Sequence, residues 1–125
     1  MTTRATSTLR TTWRGLRSVI SKRADPYYKS RRWEHLRDMI LRRDGYQCQV
    51  SKRYGRQVQA NTVHHIFPRE IYPEYQWQPW NLISVSGETH DKLHDRVTGD
   101  LSAKGAELLR RTARRRGMSV PQRYR

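Results

Sequence analysis

Two histidines stand side by side in the segment TVHHIFP, residues 62–68, of a chain that contains only five histidines. The branched residues around them favour a short β-strand. Successive side chains on a strand point to opposite faces, so His64 and His65 cannot both fill one core. Either one of them faces inward and the other outward, or both serve a site that is built around the strand.

A second pair of histidines, His90 and His94, lies downstream in the segment ETHDKLHDR. A helix is predicted here over about residues 88–96, and residues four apart share one helical face. Two imidazoles on one face can bind a metal ion that lies about 2 Å from each nitrogen. A pair alone is more often only solvated, but four of the five histidines fall in these two pairs, and Asn81 opens a second predicted strand, 81–85, between them. The remaining one, His35, is interpreted as a surface or packing residue.

Apolar periodicity and capping residues predict the other elements. Pro26 is expected to break the first helix, and Ser30 and Ser102 are expected to cap later ones. Residues 46–61 are expected to form turns and a short ribbon. Residues 67–80 contain three prolines and five aromatic residues, which predicts no regular element. The predicted helices are 9–23, 31–43, 88–96 and 102–116.

Positive charge is concentrated at the two ends of the chain, whose net charge is +15. Residues 1–43 hold 12 Lys/Arg against 3 acids, and residues 101–125 hold 8 against 1. Residues 44–100 hold 6 against 7, a net charge of −1. A merely soluble surface would mix the signs along the whole chain. Two basic arms favour a polyanionic partner, nucleic acid before an anionic membrane, because the arms lack a long apolar face.

The cysteine count and the hydropathy limit the class of protein. One cysteine, Cys48, excludes an internal disulfide framework and fits a reducing cytosol. No run of residues is long and apolar enough to span a bilayer, so no membrane association is expected. A cytoplasmic location is therefore predicted.

The order of the motifs resembles that of the HNH endonucleases, which have the ββα-metal fold. The chain shows His-His, then Asn, then His-x-x-x-His, on a predicted strand, loop, strand and helix. The segments RRWEHLRDMILRRDGYQCQ, HHIFP, NLISV and THDKLH resemble the phage-type members, over roughly residues 31–96. The resemblance implies an α+β fold, a ββα-metal core with flanking basic helices. The expected division is a basic, partly helical arm over 1–29, a nuclease domain over 30–100 and a basic helix and tail over 101–125.

The resemblance also implies roles for single residues. His64 matches the ligand of the catalytic metal, and His65 matches the general base. Asn81 matches the residue that ties the loop to the strand and helps to orient the base. His90 matches the final metal-ligating histidine, and His94 matches an additional ligand of the nuclease bacteriocins. The chemistry agrees, since hydrolysis needs a base for water and a cation for the developing charge, and one imidazole cannot act as the base while its lone pair binds the metal.

One divalent metal ion is expected as cofactor. Three imidazoles favour Zn²⁺, Ni²⁺, Co²⁺ or Mn²⁺ over the hard Mg²⁺ ion, whereas many family members work with Mg²⁺ or Mn²⁺. The identity of the ion is therefore left open among Zn, Ni, Mn and Mg.

Many phage-type relatives also hold a structural zinc ion with two C-x-x-C pairs. The corresponding positions here are Cys48, Ser51, Ser86 and Thr89, and hydroxyl groups are poor zinc ligands. No structural zinc is expected. Aromatic packing around the ribbon is expected to replace its contribution, through Trp33, Tyr46, Trp77 and Trp80.

The resemblance, together with the basic arms, implies a metal-dependent endonuclease that hydrolyses the phosphodiester bonds of DNA. Low sequence specificity is expected, because phosphate contacts give affinity without reading bases. The phage-type resemblance implies a phage or prophage role in packaging, nicking or restriction, with a packaging protein as a further partner in the host cytoplasm. Six basic residues near the motif are candidate phosphate contacts: Arg42, Arg43, Lys52, Arg53, Arg56 and Arg69.

Two other hypotheses stay open at this point. The first is a catalytically inactive, basic nucleic-acid-binding protein on an HNH scaffold. The second is a structural metal protein rich in histidine, which would need a fourth ligand, for which Cys48 is the best candidate.

Overall fold

The structure, a computed structural model, describes residues 25–125. Two antiparallel strands and five helices are accompanied by single 3₁₀ turns at Pro73–Tyr75, Pro79–Asn81 and Gln122–Tyr124. This arrangement confirms the predicted α+β fold, and the helix predicted over 9–23 lies outside the described residues. The elements are α1 (Pro26–Lys29), α2 (Arg31–Arg43), α3 (Gln49–Arg53), β1 (Thr62–His65), β2 (Leu82–Val85), α4 (Gly87–Lys92) and α5 (Ala103–Arg115).

Helix α2 follows the sequence signals closely. The Ser30 hydroxyl accepts a hydrogen bond from the backbone N–H of Trp33 at 3.1 Å, which caps the first turn. Trp33, Leu36 and Ile40 are buried on one face of the helix. The chain leaves the helix through Gly45, whose φ of 63° suits glycine. The predicted range of 31–43 is therefore confirmed.

Pro26 is the first residue of a short helix, and the helix that it was expected to break lies outside the described residues. The Asp25 carboxylate accepts a hydrogen bond from the Tyr27 backbone N–H at 2.9 Å, and proline is well suited to the first helical position, where no N–H is needed. The result is the one-turn helix α1, which places Tyr27 against α2.

Residues 46–61 contain more helix than expected. The ribbon is reduced to a single bridge between Gln47 and Gln59, with helix α3 inside it. The aromatic packing expected here is wrong for Tyr46, which is 50% exposed with a φ of 58°. It is confirmed for the three tryptophans, since Trp33 is buried and Trp77 and Trp80 are partly buried against the core.

Strands β1 and β2 pair in the register Thr62↔Val85, Val63↔Ser84, His64↔Ile83 and His65↔Leu82. Two buried apolar clusters include residues of this hairpin. In the first, side chains of α1 and α2 join Val63 and Leu82. In the second, Leu108 and Leu109 of α5 join Val85 and the segment after β1. Helix α5 thus shares the core of the hairpin, and the domain division proposed from the sequence stays a prediction.

Within residues 25–125, no helix combines the length and the apolar character that crossing a bilayer requires.

Gly105 marks a close approach between α5 and the segment that follows α4. A Cβ atom at this position would overlap the backbone carbonyl oxygen of Leu93 and press on the side chain of Leu101. Exchanging glycine for alanine within a helix normally stabilises a protein by about 1 kcal/mol. We expect Gly105→Ala instead to lower the free energy of unfolding by about 1–3 kcal/mol, because backbone has to move.

Urea denaturation measures this effect. The control is Lys104→Ala, an exposed position in the same helix, which should change the free energy of unfolding by less than about 0.5 kcal/mol. A Gly105→Ala protein as stable as the wild type would contradict the close approach.

Candidate active site

Three histidine side chains, from β1, from α4 and from the segment after α4, meet at one point. Their ligating nitrogens all lie within 4.8 Å of one another. The ring centroids of His64 and His90 are 5.4 Å apart, those of His64 and His94 5.2 Å, and those of His90 and His94 4.8 Å. His64 is fully buried, and the other two are half-buried. The structure thus brings together the three residues that the sequence nominated as metal ligands.

His94 reaches this cluster by a different route from the one predicted. Helix α4 ends at Lys92, so His94 lies beyond the helix and not on its face. It forms an isolated antiparallel bridge with Leu101, and its Nδ1 lies 3.3 Å from the Gly99 carbonyl oxygen. A carbonyl oxygen only accepts hydrogen bonds, so this contact places the ring proton on Nδ1 and leaves Nε2 as the ligand atom.

The turn that carries His94 is braced by the C-terminal segment. The Asp100 carboxylate accepts hydrogen bonds at 2.7 Å from the Tyr124 hydroxyl, from the Arg123 guanidinium and from the Leu101 backbone N–H. Burial raises the pKa of Asp100, but these hydrogen bonds outweigh burial and hold the pKa below its usual value. A charged carboxylate therefore joins the end of the chain to the loop of the third histidine.

His65 is buried on the other side of β1, among aromatic rings of α1 and α2. Its ring stacks on Trp33, with centroids 5.4 Å apart and an interplanar angle of 20°. Its Nε2 lies 3.0 Å from the Tyr27 hydroxyl and 3.2 Å from the Gln76 carbonyl oxygen. His64 and His65 nevertheless line the same cavity of about 630 Å³. Both histidines are buried, and both border one site.

Asn81 is fully buried and joins the segment after β1 to the start of β2. Its side-chain oxygen accepts a hydrogen bond from the Phe67 backbone N–H at 2.7 Å, and its amide nitrogen donates to the carbonyls of Phe67 and Tyr75 at 3.2 Å. Its own carbonyl accepts from the Ile66 N–H at 2.8 Å. Asn81 belongs to a 3₁₀ turn and not to β2 as predicted. These bonds fix the backbone that directly follows His65.

The six candidate phosphate contacts fall into two groups. Arg43 and Arg69 form hydrogen bonds and ion pairs with other residues of the fold. The Arg43 guanidinium donates to Asp44 and to the Leu82 carbonyl, and Arg69 pairs with Asp25. The other four are exposed: Arg42, Lys52, Arg53 and Arg56. DNA contact by any of the six stays a prediction.

Sequence reasoning missed the aromatic surroundings of His65. Tyr27 contacts the ring of His65, and the Arg69 guanidinium lies 4.2 Å from the centroid of the Tyr27 ring. The signal that could have placed Tyr27 is local, since Asp25 followed by Pro26 is an N-cap and first-turn pattern. No sequence signal indicated which residue this short helix would contact.

The four positions at which the family resemblance implied a zinc site come together as a hydrogen-bonded cluster. The Ser51 hydroxyl donates to the Cys48 sulfur at 3.3 Å, and the Cys48 thiol and the Ser86 hydroxyl donate to the Thr89 hydroxyl at 3.4 and 3.0 Å. Burial raises the pKa of Cys48, but the hydrogen bonds of Ser51 and Thr89 outweigh burial and lower the pKa to about 7. The cluster joins α3 to α4 through side-chain hydrogen bonds.

A comparison with solved structures finds the crystal structure of the deep-sea thermophilic bacteriophage GVE2 HNH endonuclease with manganese ion. It is 28% identical to this chain, with a TM-score of 0.55, and the match covers 73% of this chain and 87% of the other. The comparison supports an HNH-family assignment. The β1–β2–α4 unit accordingly resembles the ββα core of an HNH endonuclease. No protein-family model and no curated protein matches the sequence.

The donor set of the cluster formed by His64, His90 and His94 fits a divalent metal ion. A tetrahedral ion about 2.0–2.1 Å from each nitrogen requires ligand atoms about 3.4 Å apart, which small side-chain adjustments reach from separations of up to 4.8 Å. Three neutral imidazoles suit Zn²⁺, Ni²⁺ or Mn²⁺. A set of three leaves a coordination position for water or substrate, as catalytic sites require.

Metal titration distinguishes the histidine cluster from the Cys48 cluster. We expect the metal-free protein to bind one equivalent of Zn²⁺ or Mn²⁺ in isothermal titration calorimetry. His90→Ala and His94→Ala should weaken binding by about tenfold or more, because each removes a ligand. Cys48→Ala is the control and should bind as the wild type does. Abolished binding in Cys48→Ala, with His90→Ala unaffected, would place the metal at the Cys48 cluster instead.

Proposed function

We propose that this protein is a metal-dependent endonuclease that hydrolyses DNA with low sequence specificity. The structural match to a phage HNH endonuclease supports a nuclease function in general. The observation that carries the specific proposal is the cavity shared by His64, His90, His94 and His65. It combines a metal-ligand set with a further imidazole that lies outside this set.

The chemistry divides between the two faces of β1. His64, His90 and His94 would hold the metal, which when bound supplies positive charge for the phosphate and for the leaving 3′ oxygen. His65 would accept a proton from the attacking water. Asn81 would keep the backbone beside His65 in place. The products implied by the family are 5′-phosphate and 3′-hydroxyl ends.

The neighbour with manganese supports Mn²⁺ as one working cofactor. The three imidazoles favour tighter binding of Zn²⁺ or Ni²⁺ than of Mg²⁺. Affinity and turnover thus need not favour the same ion.

The biological setting follows by analogy with the phage neighbour. We propose a phage or prophage role in DNA packaging, nicking or restriction, in the host cytoplasm, with DNA and a phage packaging protein as partners. The net charge of +15 supports a polyanionic substrate. A catalytically inactive DNA-binding protein on the same scaffold is the second candidate, and the charge supports it equally, so cleavage has to decide.

Plasmid cleavage in a panel of divalent metals tests the proposal. We expect the wild type to cut supercoiled plasmid, and His65→Ala to lose about 100-fold or more in rate, because the base is gone. His65→Ala should still bind the metal with wild-type affinity. The matched control is His35→Ala, which removes an exposed histidine of α2 and should cut normally.

The outcomes separate the two candidates. Cleavage by His65→Ala at the wild-type rate would contradict its role as base. A wild type that binds DNA and metal but cuts nothing in any metal would favour the inactive binding protein.

DNA affinity should fall steeply with salt, because Lys and Arg side chains that bind phosphates release counterions from the DNA. Neutralising two exposed residues of the α3 region, with Arg53→Gln and Arg56→Gln, should reduce the slope of log K against log[salt] by about 1 for each phosphate that the protein no longer neutralises. Fluorescence anisotropy with a labelled duplex measures this slope. A flat response of the wild type would remove the electrostatic argument for DNA.

A further inference from the structure

We propose that Tyr27 is a positioning residue for His65. Its hydroxyl fixes the ring proton of the neutral imidazole on Nε2, so that the lone pair that accepts a proton lies on Nδ1. This inference rests on the proposed function in one respect, the role of His65 as general base. The pairing of the two side chains stands on geometry alone.

The placement of the proton follows from counting hydrogens. The Tyr27 hydroxyl has one hydrogen, and it donates this hydrogen to the Gln76 carbonyl at 2.5 Å. The same hydroxyl oxygen lies 3.0 Å from His65 Nε2, so it can only accept there. The Gln76 carbonyl oxygen, 3.2 Å from the same Nε2, is also only an acceptor. Two acceptors beside Nε2 require that this nitrogen carry the ring hydrogen. A neutral imidazole has only one N–H, so Nδ1 carries the lone pair.

Tyr27 is held rigidly enough to impose this arrangement. It is 8% exposed, and its ring contacts those of Trp33 and Trp77, with centroids 5.3 and 4.4 Å away. Burial raises the pKa of Tyr27 well above its usual value, so the hydroxyl keeps its hydrogen at neutral pH.

An ion pair fastens the short helix of Tyr27 to the segment after β1. Asp25 caps α1 through the Tyr27 N–H and pairs with Arg69. The Arg69 guanidinium also donates to the Gln76 side-chain oxygen at 3.3 Å. The residue that supplies the carbonyl and the helix that supplies the hydroxyl are therefore connected independently of His65.

The consequence for hydrolysis is a base of defined geometry. Water transfers a proton to Nδ1, its oxygen bonds to phosphorus, and the bond from phosphorus to the 3′ oxygen breaks with its electron pair on that oxygen. The imidazolium then carries N–H groups on both nitrogens, and the Nε2–H still donates to the same two acceptors. No rearrangement of hydrogen bonds around Nε2 is needed when the ring gains its charge.

Nuclear magnetic resonance of the metal-free protein tests the assignment without reference to activity. Long-range ¹H–¹⁵N spectra of uniformly labelled protein distinguish the two neutral tautomers of each histidine. We expect His65 in the wild type to show a protonated, pyrrole-type Nε2 and a pyridine-type Nδ1. A wild-type spectrum with the proton on Nδ1 would overturn the proposal, whether or not any variant folds.

Tyr27→Phe removes the hydroxyl and keeps the ring. The two nitrogen shifts of His65 should move toward each other, because one acceptor at Nε2 is gone and the other tautomer becomes populated. Cleavage should lose about tenfold in kcat with KM unchanged, since base orientation and not DNA binding is affected. Tyr54→Phe is the control at a tyrosine that is 67% exposed, and it should leave the spectrum and kcat unchanged.

The combined outcomes distinguish a failure of the positioning role of Tyr27 from a failure of the proposed nuclease function. A lower kcat in Tyr27→Phe with an unchanged His65 spectrum would overturn the positioning role and leave only packing. If the wild type has its proton on Nε2 but cuts no DNA, the pairing of Tyr27 with His65 stands, and the failure belongs to the proposed function.

Discussion

The two-residue alternation of β1 is the constraint on which the rest of the structure depends. Adjacent histidines on a strand point to opposite faces, and both are buried here, at 1% and 7% exposure. Both faces of the strand must therefore be covered by other elements. A two-stranded hairpin is only marginally stable by itself, so it also needs this packing to stay folded. Helix α4 and the following turn cover His64 with imidazoles, whereas α1 and α2 cover His65 with aromatic rings. The difference between these surroundings supports a metal ligand on one side and a base on the other.

Elements with local determinants could be predicted from the sequence. Helix α2 has an apolar stripe and a serine cap, and its bounds were predicted to the residue. Ser102 likewise caps α5 through the Gly105 N–H, and Ser86 caps α4 through the Thr89 N–H. The family resemblance, carried by the order and spacing of the motifs, nominated the three histidines that cluster in the structure.

What could not be predicted depends on contacts between distant segments. His94 was placed on a helical face, yet α4 ends at Lys92, and a bridge to Leu101 sets the position of His94. Local periodicity contains no information about that bridge. The contact between Tyr27 and His65 spans 38 residues. The Asp25–Pro26 pattern indicates a helix start, but not its neighbours.

The Cys48 cluster is a junction between α3 and α4 that is held by side-chain hydrogen bonds. Cys48, Ser51, Ser86 and Thr89 stand at the positions where the family resemblance implied a zinc site, and hydrogen bonds connect them. Each such bond contributes only about 1 kcal/mol, less than a structural metal would. Cys48 also packs with Leu108 and Leu109 of α5 in one buried cluster, so apolar burial by the C-terminal helix adds to the same junction. The side chains that stabilise this junction are therefore different from the three histidines that are proposed to bind the metal.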